Sequence, residues 1–325
     1  MTETKPIAFP FDGDIPAEGI WEDVDEPTYR GWPSFAQSDF KDHLNGEPPA
    51  KVDWRRQHPK RDTESTYLGT GLHTCLFEQK RFEQIVIPPP INKSTGKPYG
   101  DDTKAYKEHA DAHPGCILID EDGIRLIKLL YERILKIPEF REDYEDPESL
   151  REVALSFYLP LRTPTGAILW VAGKGRVDLW NTSRNRAWDI KTLDSATESA
   201  FGLQAGKYGY HYQATYYSMG IERLDFGQPD FRFLACEKIP THQVVPYYLT
   251  KEDYTTCNFA IQRTLLVVAE CCIQRSWPGV STEPRPLRIP RHFMPKLTEA
   301  EYFASTTQPA PIEEDPIFAE EEAPA

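Results

Sequence analysis

The stretch that decides the fold of this 325-residue chain is Gly175-Arg-Val-Asp-Leu-Trp-Asn-Thr-Ser-Arg-Asn-Arg-Ala-Trp-Asp-Ile-Lys-Thr192. It holds two runs of β-type residues, at 175–180 and 187–193, with the turn-forming sequence Asn-Thr-Ser between them at 181–183. Similar runs precede it at 154–161 and 168–172. The pattern predicts an antiparallel meander in the middle of the chain.

Charged side chains recur inside the last two of these strands. Because side chains alternate along a strand, Asp189 and Lys191 share one face, and the isoleucine between them enters the apolar side. In the preceding strand Val177 and Leu179 are expected in the core, so Asp178 faces away from it. If a hairpin joins the two strands, Asp178 lies beside Asp189, and three charged groups converge on one sheet face.

Two carboxylates at that separation repel each other unless they share a cation. A divalent ion with oxygen ligands, typically Mg²⁺, suits such a pair, and the nearby lysine can stabilise charge that develops on a phosphate. The pattern indicates metal-assisted phosphodiester hydrolysis. The alternative is a surface hairpin with an ordinary aspartate and lysine pair, because short charged strings recur in a chain that is 27% charged.

A second pair of candidates follows on a predicted helix. Gln213 and Tyr217 are four residues apart and therefore neighbours on one helix face. They can hydrogen-bond a nucleic-acid phosphate or hold the lysine strand in place, or they can belong to a tyrosine-rich packing face. The packing role is assigned to Tyr208, Tyr212 and Tyr216.

The remainder of the chain alternates helical and extended patterns. Helices are expected at 34–44, 67–84, 103–112, 120–137, 195–223 and 251–275, with a short one beginning at Asp146-Pro147, and further strands at 231–237 and 244–249. This order predicts an α/β fold.

Charge is concentrated at the two ends of the chain. The net charge is −14, but residues 1–26 carry eight acidic and one basic side chain, and residues 297–325 carry eight acidic and none. The body between them is nearly neutral, so a nucleic-acid partner is not excluded. We expect a poorly ordered acidic segment at 1–30, one domain at 31–282 and a Pro/Glu-rich extension at 283–325.

Six cysteines without an export signal are expected to be free or buried thiols: Cys75, Cys116, Cys236, Cys257, Cys271 and Cys272. An iron–sulfur cluster is not expected, because their spacings are irregular and no C-x-x-C motif occurs. No apolar run approaches the length of about 18 residues that a membrane span needs. A cytoplasmic protein without a membrane partner is therefore predicted.

Four motifs occur in a characteristic order: Gly71-Leu-His73, Gly175-Arg-Val-Asp178, Asp189-Ile-Lys191-Thr and Gln213-x-x-x-Tyr217. In these motifs and their order, the chain resembles the PD-(D/E)XK nuclease superfamily. Within that superfamily it is similar to the exonuclease VIII (RecE-type) nuclease domain of phages and prophages. The similarity runs over about 32–279. It implies a restriction-endonuclease-like core, in which helices flank a central mixed β-sheet.

The resemblance also assigns roles to residues. Asp178 and Asp189 would bind Mg²⁺, or Mn²⁺ as a substitute, together with His73 and the backbone carbonyl of Ile190. Lys191 would be the catalytic lysine. The family's helix with the Q-x-x-x-Y motif is matched by the glutamine and tyrosine at 213 and 217.

One position of the family pattern has two alignments. A glutamate usually precedes the first core strand, and Glu152 takes that place only in a register stretched by two residues. The tighter register puts Ala154 there.

Basic residues around the motifs are candidates for phosphate contacts, although each can equally be a solvated surface charge: Lys174, Arg176, Arg184, Arg186 and Lys207. The implied activity is a metal-dependent exonuclease that degrades linear duplex DNA from its ends, 5′ to 3′, and leaves single strands for recombination. A ring-like trimer or tetramer and a single-strand annealing protein are the partners that the resemblance implies.

Two other functions remain open. The acidic ends suggest a non-catalytic DNA mimic or adaptor that binds a basic partner. Within the enzyme class, an endonuclease of the same superfamily would use the same residues.

Overall fold

The structure is a computed structural model that describes residues 6–9, 13–58, 64–284 and 286–287. Contacts group Met1–Val280 into one compact unit. The predicted extension at 283–325 falls, apart from 283, 284, 286 and 287, outside the described residues.

A six-stranded sheet forms the centre of the fold. Its strands and those of a small parallel pair are, in chain order, β1 (Gly19–Trp21), β2 (Val86–Ile87), β3 (Ile117–Leu118), β4 (Ser149–Arg162), β5 (Ile168–Asn181), β6 (Arg186–Leu193), β7 (Asp230–Glu237) and β8 (Val244–Tyr248). The order in the large sheet is β1-β4-β5-β6-β7-β8, and β2 pairs with β3. Among the strands of the large sheet, β6 and β7 are the neighbours that run parallel and the other pairs are antiparallel, so this sheet is mixed.

The described helices pack on both faces of this sheet. They are α1 (Glu26–Gly31), α2 (Gln37–Leu44), α3 (Pro49–Gln57), α4 (Glu64–Phe77), α5 (Gln79–Ile85), α6 (Lys104–Ala112), α7 (Glu121–Ile134), α8 (Pro138–Glu145), α9 (Glu198–Tyr208), α10 (Tyr210–Ile221) and α11 (Lys251–Gln274). The predicted class, a mixed central sheet with helices on its two sides, is confirmed.

Each face of the sheet has its own hydrophobic core, as the alternation of side chains requires. On one side Ala187 packs with residues of α2, α10 and α11. On the other, Trp188 and Ile190 pack with residues of α4, α7 and α8. Because Trp188 is fully buried, its side chain alone contributes on the order of 2–3 kcal/mol of hydrophobic free energy.

The segment ahead of α1 differs from the expectation of a poorly ordered N-terminus at 1–30. Within its described part, β1 pairs with β4, and the Asp25 side chain caps α1 by accepting a hydrogen bond of 2.7 Å from the Thr28 amide. An ion pair of 3.0 Å between Arg223 and Glu18 anchors it further. These tertiary contacts offset the repulsion of the acidic side chains, which a composition argument does not include.

Four local predictions were also wrong. The helix expected at 67–84 is divided at Glu78 into α4 and α5. Asp146 follows the end of α8 and precedes β4 instead of starting a helix, because its side chain binds Asn181 and Arg184. The helix at 195–223 is two helices, which are broken at Gly209 with φ of +73°. The two runs at 168–172 and 175–180 belong to the single strand β5.

By length and composition, α11 is the one helix in the described ranges that is apolar enough to cross a membrane. Its residues Ile261, Leu265 and Val268 are fully buried in the core against the sheet. Core helices meet the same criteria of length and composition, and one face of α11 packs into this core.

Candidate metal and catalytic centre

One side of the centre is formed by the paired strands β4 and β5. Arg151 pairs with Leu179 and Val153 with Val177, so Glu152 and Asp178 stand opposite each other between these pairs. Glu152 has φ of +47°, a left-handed conformation that is uncommon outside glycine.

The alternation of β5 also changes at this point. Val177 lies in one core and Leu179 in the other, whereas simple alternation predicts both in the same core. A local distortion of this type re-aims side chains, as β-bulges do. Here it turns the Glu152 and Asp178 carboxylates toward the same side.

Helix α4 brings His73 between these two carboxylates. Its Nδ1 atom lies 3.3 Å from Glu152 Oε1 and 3.6 Å from Asp178 Oδ2. One ligand atom from each of the three residues lies within 4.8 Å of the others, a geometry that can hold a metal ion.

The backbone of β6 completes this group. The Ile190 amide donates a hydrogen bond of 2.7 Å to Asp178 Oδ2, which fixes the carboxylate against the neighbouring strand. The Ile190 carbonyl oxygen lies 3.1 Å from His73 Nε2. The predicted backbone ligand is therefore beside the histidine and Asp178.

Asp189 and Lys191 form a second group beside the first. Lys191 Nζ lies 2.6 Å from Asp189 Oδ2 and 4.8 Å from the centre of the Tyr210 ring. Gln213 donates a hydrogen bond of 3.0 Å from Nε2 to Asp189 Oδ1. Asp189 is buried and is not among the residues whose ligand atoms meet at His73. In this respect the arrangement differs from the ligand set implied by the resemblance.

Tyr217 packs beneath this second group. A Cβ atom on Gly175 would lie 2.8 Å from the Tyr217 ring, so only glycine permits this contact on β5. Burial, followed by the Asp189 carboxylate, raises the pKa of Tyr217 to about 12. The phenol therefore remains protonated and available as a hydrogen-bond donor.

The protonation states of His73, Asp189 and Lys191 depend on burial and on the charged side chains beside them. Burial opposes protonation of His73, but the Asp178 and Glu152 carboxylates raise its pKa to about 10. Burial raises the pKa of Asp189 to about 6, even though Lys191 opposes this shift. Burial lowers the pKa of Lys191, but Asp189 and Asp178 outweigh it and raise the pKa above its usual value. Lys191 therefore carries a positive charge at neutral pH.

The centre opens into a cleft of about 1050 Å³. Basic side chains that line it are Arg30, Arg81, Arg151, Arg176 and Lys191. A second cleft of about 700 Å³ reaches Gln213 and Tyr217 from the side of α2 and shares Arg30 and Arg176 with the first. The first cleft is also lined by acidic side chains, at Asp23, Asp25, Glu26, Glu78 and Glu152, so its charge is mixed.

Lys174, a predicted phosphate contact, is buried inside the fold. Its amine is buried and donates hydrogen bonds to the carbonyl oxygens of Tyr29, Arg30 and Trp32 at 3.2, 3.1 and 2.9 Å. Burial lowers its pKa, which Asp39 and Glu26 oppose. Lys174 thus holds the end of α1 against β5, and the prediction of a surface contact is wrong because its position on the strand faces inward.

Arg176 lies at the boundary of the two clefts, as a phosphate contact would, but it has partners of its own. Its Nη1 lies 2.5 Å from Glu26 Oε2, its Nη2 contacts the Val24 carbonyl oxygen, and its Nε donates to the Glu152 carbonyl oxygen at 3.2 Å. Arg176 therefore joins the N-terminal segment to the centre.

The other basic candidates differ in their placement. Arg184 and Arg186 both bind the buried carboxylate of Asp143 and serve the packing of α8. Lys207 is exposed, with its amine 5.2 Å from the centre of the Tyr208 ring.

Sequence reasoning missed Tyr210 and Gln204. Gln204 Nε2 donates to the Thr192 carbonyl oxygen at 3.4 Å and to the Tyr210 hydroxyl at 3.3 Å, so it holds the ring that covers Lys191. A signal existed, because Tyr210 precedes Gln213 by three residues on one helix face.

The donor set at His73 fits a divalent cation. Two carboxylates and one carbonyl oxygen supply the hard ligands that suit Mg²⁺ or Mn²⁺, whereas the imidazole is a more usual ligand of Zn²⁺ or Fe²⁺. The raised pKa of His73 reflects the negative potential that would attract such an ion.

Among the cysteines, Cys75 packs against one core and Cys272 against the other, so these two thiols lie on opposite faces of the sheet.

A family model and one solved structure agree with this fold. A sequence profile described as "PDDEXK-like domain of unknown function (DUF3799)" matches residues 36–285. The crystal structure of a "Putative exonuclease" from Eubacterium rectale is 10% identical, with a TM-score of 0.54, over 88% of this chain and 100% of that one. The crystal structure of SSO0001 is 14% identical, with a TM-score of 0.27, over 71% and 85% of the two chains. No curated protein matches the chain at a significant level.

The fold and the centre define the PD-(D/E)XK class, whose nuclease-like architecture suggests hydrolysis of nucleic acid. Within that class, the chain belongs to the family of PDDEXK-like domains of unknown function, because the matched region covers more than half of its length.

Proposed function

We propose that the protein is a metal-dependent exonuclease that hydrolyses the phosphodiester bonds of linear double-stranded DNA. The observation that carries the proposal is the convergence of His73, Glu152 and Asp178 beside the Asp189 and Lys191 pair, in a cleft of about 1050 Å³. Digestion from 5′ to 3′ and a role in recombination rest on the resemblance to RecE-type nucleases.

His73, Glu152, Asp178 and the Ile190 carbonyl oxygen would hold Mg²⁺, with Mn²⁺ as a substitute. A divalent ion bound there would supply positive charge against the phosphate oxygens and lower the pKa of water. The overall reaction adds a hydroxyl group from water to phosphorus, breaks the bond between phosphorus and the 3′ oxygen, and leaves a proton on that oxygen.

The protonated state of Lys191 defines its part in the reaction. As a cation it donates hydrogen bonds to the phosphate or to the attacking water and stabilises the charge that develops on the phosphate oxygens. It is not the base that removes the proton from water. Asp189 holds its amine in place, and Gln213 in turn donates a hydrogen bond to Asp189.

The decisive experiment measures nucleotide release from linear duplexes labelled at the 5′ or the 3′ end, with and without Mg²⁺. We expect metal-dependent release that begins at the 5′ label. Lys191→Ala should reduce the rate by about 10²-fold or more, because one preorganised charge-stabilising donor is lost. Lys136→Ala, which removes an exposed lysine outside the clefts, is the matched control and should keep the wild-type rate.

Other outcomes distinguish the remaining functions. Cleavage of closed circular duplex at a rate comparable to that of linear duplex would indicate an endonuclease. Full activity of Lys191→Ala, or no release under any metal condition, would refute the proposal and favour the adaptor that the acidic ends suggest. An adaptor that uses the acidic C-terminal segment at 297–325 would lose its function on removal of that segment, whereas a nuclease would keep most of its turnover. The N-terminal segment is left in place, because Glu18 and Glu26 pair with Arg223 and Arg176 of the folded domain.

The partners and the location are proposals as well. We infer a ring-like homo-oligomer, trimer or tetramer, around DNA ends, a single-strand annealing protein as companion, and a cytoplasmic location. Sedimentation of the full chain with and without a linear duplex would measure the first of these, and a monomer under both conditions would exclude it.

A further inference from the structure

Tyr208 is the exposed aromatic residue nearest to the catalytic candidates along the chain. It is the last residue of α9 and is 43% exposed, although a packing role was predicted for it. Tyr216, which was assigned the same role, is fully buried. The exposed ring therefore has no packing explanation comparable to that of its neighbour.

The break between α9 and α10 connects this ring to the catalytic centre. Side chains two residues apart do not face each other on a continuous helix. Gly209 adopts φ of +73°, and the rings of Tyr208 and Tyr210 then stack with centres 5.8 Å apart and planes inclined by 21°. Tyr210 in turn covers Lys191 at 4.8 Å. The two stacked rings thus form a continuous series of contacts from Lys191 to the exposed face of Tyr208.

Two amines flank the exposed ring. Lys207 Nζ lies 5.2 Å and Lys41 Nζ 5.4 Å from its centre, within the range of cation–π contacts. Lys41 belongs to α2 and lines the second cleft, and Tyr210, on which the ring stacks, lines the first. The positive charge near the ring therefore comes from two different helices.

This combination matches the chemistry of a single nucleic-acid strand. A base can stack on the ring, while the two amines pair with the phosphates on either side of it. We propose that Tyr208, Lys207 and Lys41 form a stacking platform that binds an unpaired nucleotide of the substrate strand next to the catalytic centre.

The platform deepens the proposed function and rests on it, because it names the form of DNA that the centre handles. A base can stack on Tyr208 only when it is separated from its own neighbour in the strand. The platform therefore selects DNA in which the strand at the centre is locally single-stranded, and sequence has little influence because every base has an aromatic face.

Binding is tested without cleavage, with the full chain in a metal-free chelating buffer. Fluorescence anisotropy measures the dissociation constants of a labelled oligothymidylate and of an abasic oligonucleotide of equal length. Wild type should bind the thymidylate at least about fivefold more tightly, since stacking of one base contributes roughly 1–3 kcal/mol. Tyr208→Ala should remove this difference, and Tyr208→Phe and Tyr208→Trp should retain it.

The lysines and a distant tyrosine serve as comparisons. Lys207→Ala should weaken binding of both probes and reduce the slope of log affinity against log salt by about one unit. Tyr248→Ala, which removes a 72% exposed ring on β8, should bind both probes as wild type does.

The proposal is overturned if Tyr208→Ala binds both probes as wild type does, or if it loses affinity equally for the two. A change of oligomeric state in Tyr208→Ala without a change in base-dependent binding would assign the ring to an interface between copies instead. Because binding is measured without metal, its failure is distinguishable from a lack of nucleotide release, which concerns the proposed function alone.

Discussion

Glu152 lies opposite Asp178 across the pair of strands β4 and β5, and it does so with φ of +47°. A non-glycine residue in the left-handed region costs about 1–2 kcal/mol and persists only where the surroundings fix it. The same distortion directs both carboxylates toward His73. Stability is thus given up at the position where the candidate metal ligands converge.

This relationship predicts an unusual result for substitutions of Glu152. Glu152→Gly relieves the positive φ, whereas Glu152→Ala retains the strain. We expect the glycine variant to be more stable than the alanine variant by about 1 kcal/mol, although glycine in a strand usually costs stability. Urea unfolding followed by circular dichroism measures the difference.

A comparison at Val153, the next residue of the strand, provides the control. Val153 is fully buried and pairs with Val177 in the regular sheet. There Val153→Gly should be less stable than Val153→Ala. If glycine is the worse substitution at both positions, the backbone of Glu152 is not strained.

We expect Gln213 to act as a positioning residue, because its amide donates a hydrogen bond to Asp189. Gln213→Leu removes the hydrogen bond to Asp189 Oδ1 while it keeps the size of the side chain. Loss of such a supporting contact typically reduces activity 10–100-fold, so we expect kcat to fall in this range with KM nearly unchanged. Steady-state kinetics on linear duplex DNA measures both constants.

The matched control for this prediction is Gln262 on α11, which donates to Asn258 at 2.6 Å far along the chain from the centre. Gln262→Leu should leave kcat as in wild type. A rise of KM alone in Gln213→Leu would contradict the positioning role and indicate direct contact with the substrate.

Lys174 and Lys207 are both candidates for phosphate contacts in the sequence, but we expect their substitutions to have different effects on stability. Lys174→Met leaves three carbonyl oxygens without their donor, and we expect a loss of about 2–4 kcal/mol in the free energy of unfolding. Lys207→Met changes an exposed side chain and should stay within about 0.5 kcal/mol of wild type. Denaturant titrations of the two variants decide the point, and equal effects would contradict the assignment of Lys174 as a structural residue.

The alternation of charged and apolar residues predicted much of the centre. Asp189 and Lys191 lie on the face opposite Ile190, because this relation follows from the period of a strand. The position of Asp178 does not follow from it, because the alternation of β5 changes between Val177 and Leu179. The helix with Gln213 and the mixed α/β class follow from periodicity in the same way.

The remaining features depend on tertiary structure. The place of Glu152 requires a positive φ that no pattern of residue types announces. The burial of Lys174 requires α1, which folds from a segment whose acidic composition predicts disorder. Whether Asp189 or Glu152 meets His73 depends on the local distortion of β5, and periodicity assumes that no such distortion exists.

Two glycines of α9 predict a gain in stability. Gly202 and Gly206 lie inside the helix, and a Cβ atom at either position would meet no atom within 4 Å. Because glycine is a poor helix former, Gly202→Ala and Gly206→Ala should each add about 0.5–1 kcal/mol to the free energy of unfolding. Gly220→Ala in α10 is the contrasting variant, since its Cβ would lie 2.5 Å from the Phe157 ring and should destabilise the fold. Thermal unfolding measures the stability of the three variants. If the variants at Gly202 and Gly206 are destabilised like the one at Gly220, the methyl groups added to α9 are not tolerated and the prediction is wrong.

A dependence of stability on pH is predicted from Asp39 in the first turn of α2. Burial raises its pKa from 3.8 to about 6, although the Ala36 amide and Lys174 oppose the shift. The folded chain therefore binds a proton more tightly than the unfolded chain does. The stability that this proton contributes is present below about pH 4 and is lost as the pH rises through about 6.

Asp39→Asn removes this titration while it keeps an oxygen that can accept from the Ala36 amide. Between pH 4.5 and 7.5 the free energy of unfolding of wild type should fall, relative to that of Asp39→Asn, by roughly 1–2 kcal/mol. Urea titrations at the two pH values measure this difference, and other titrating groups cancel in the comparison. Asp111→Asn, at an exposed position of α6, should follow wild type at both pH values. If Asp39→Asn also follows wild type, the Asp39 carboxylate is already ionised in the fold at pH 4.5, and burial does not control its charge.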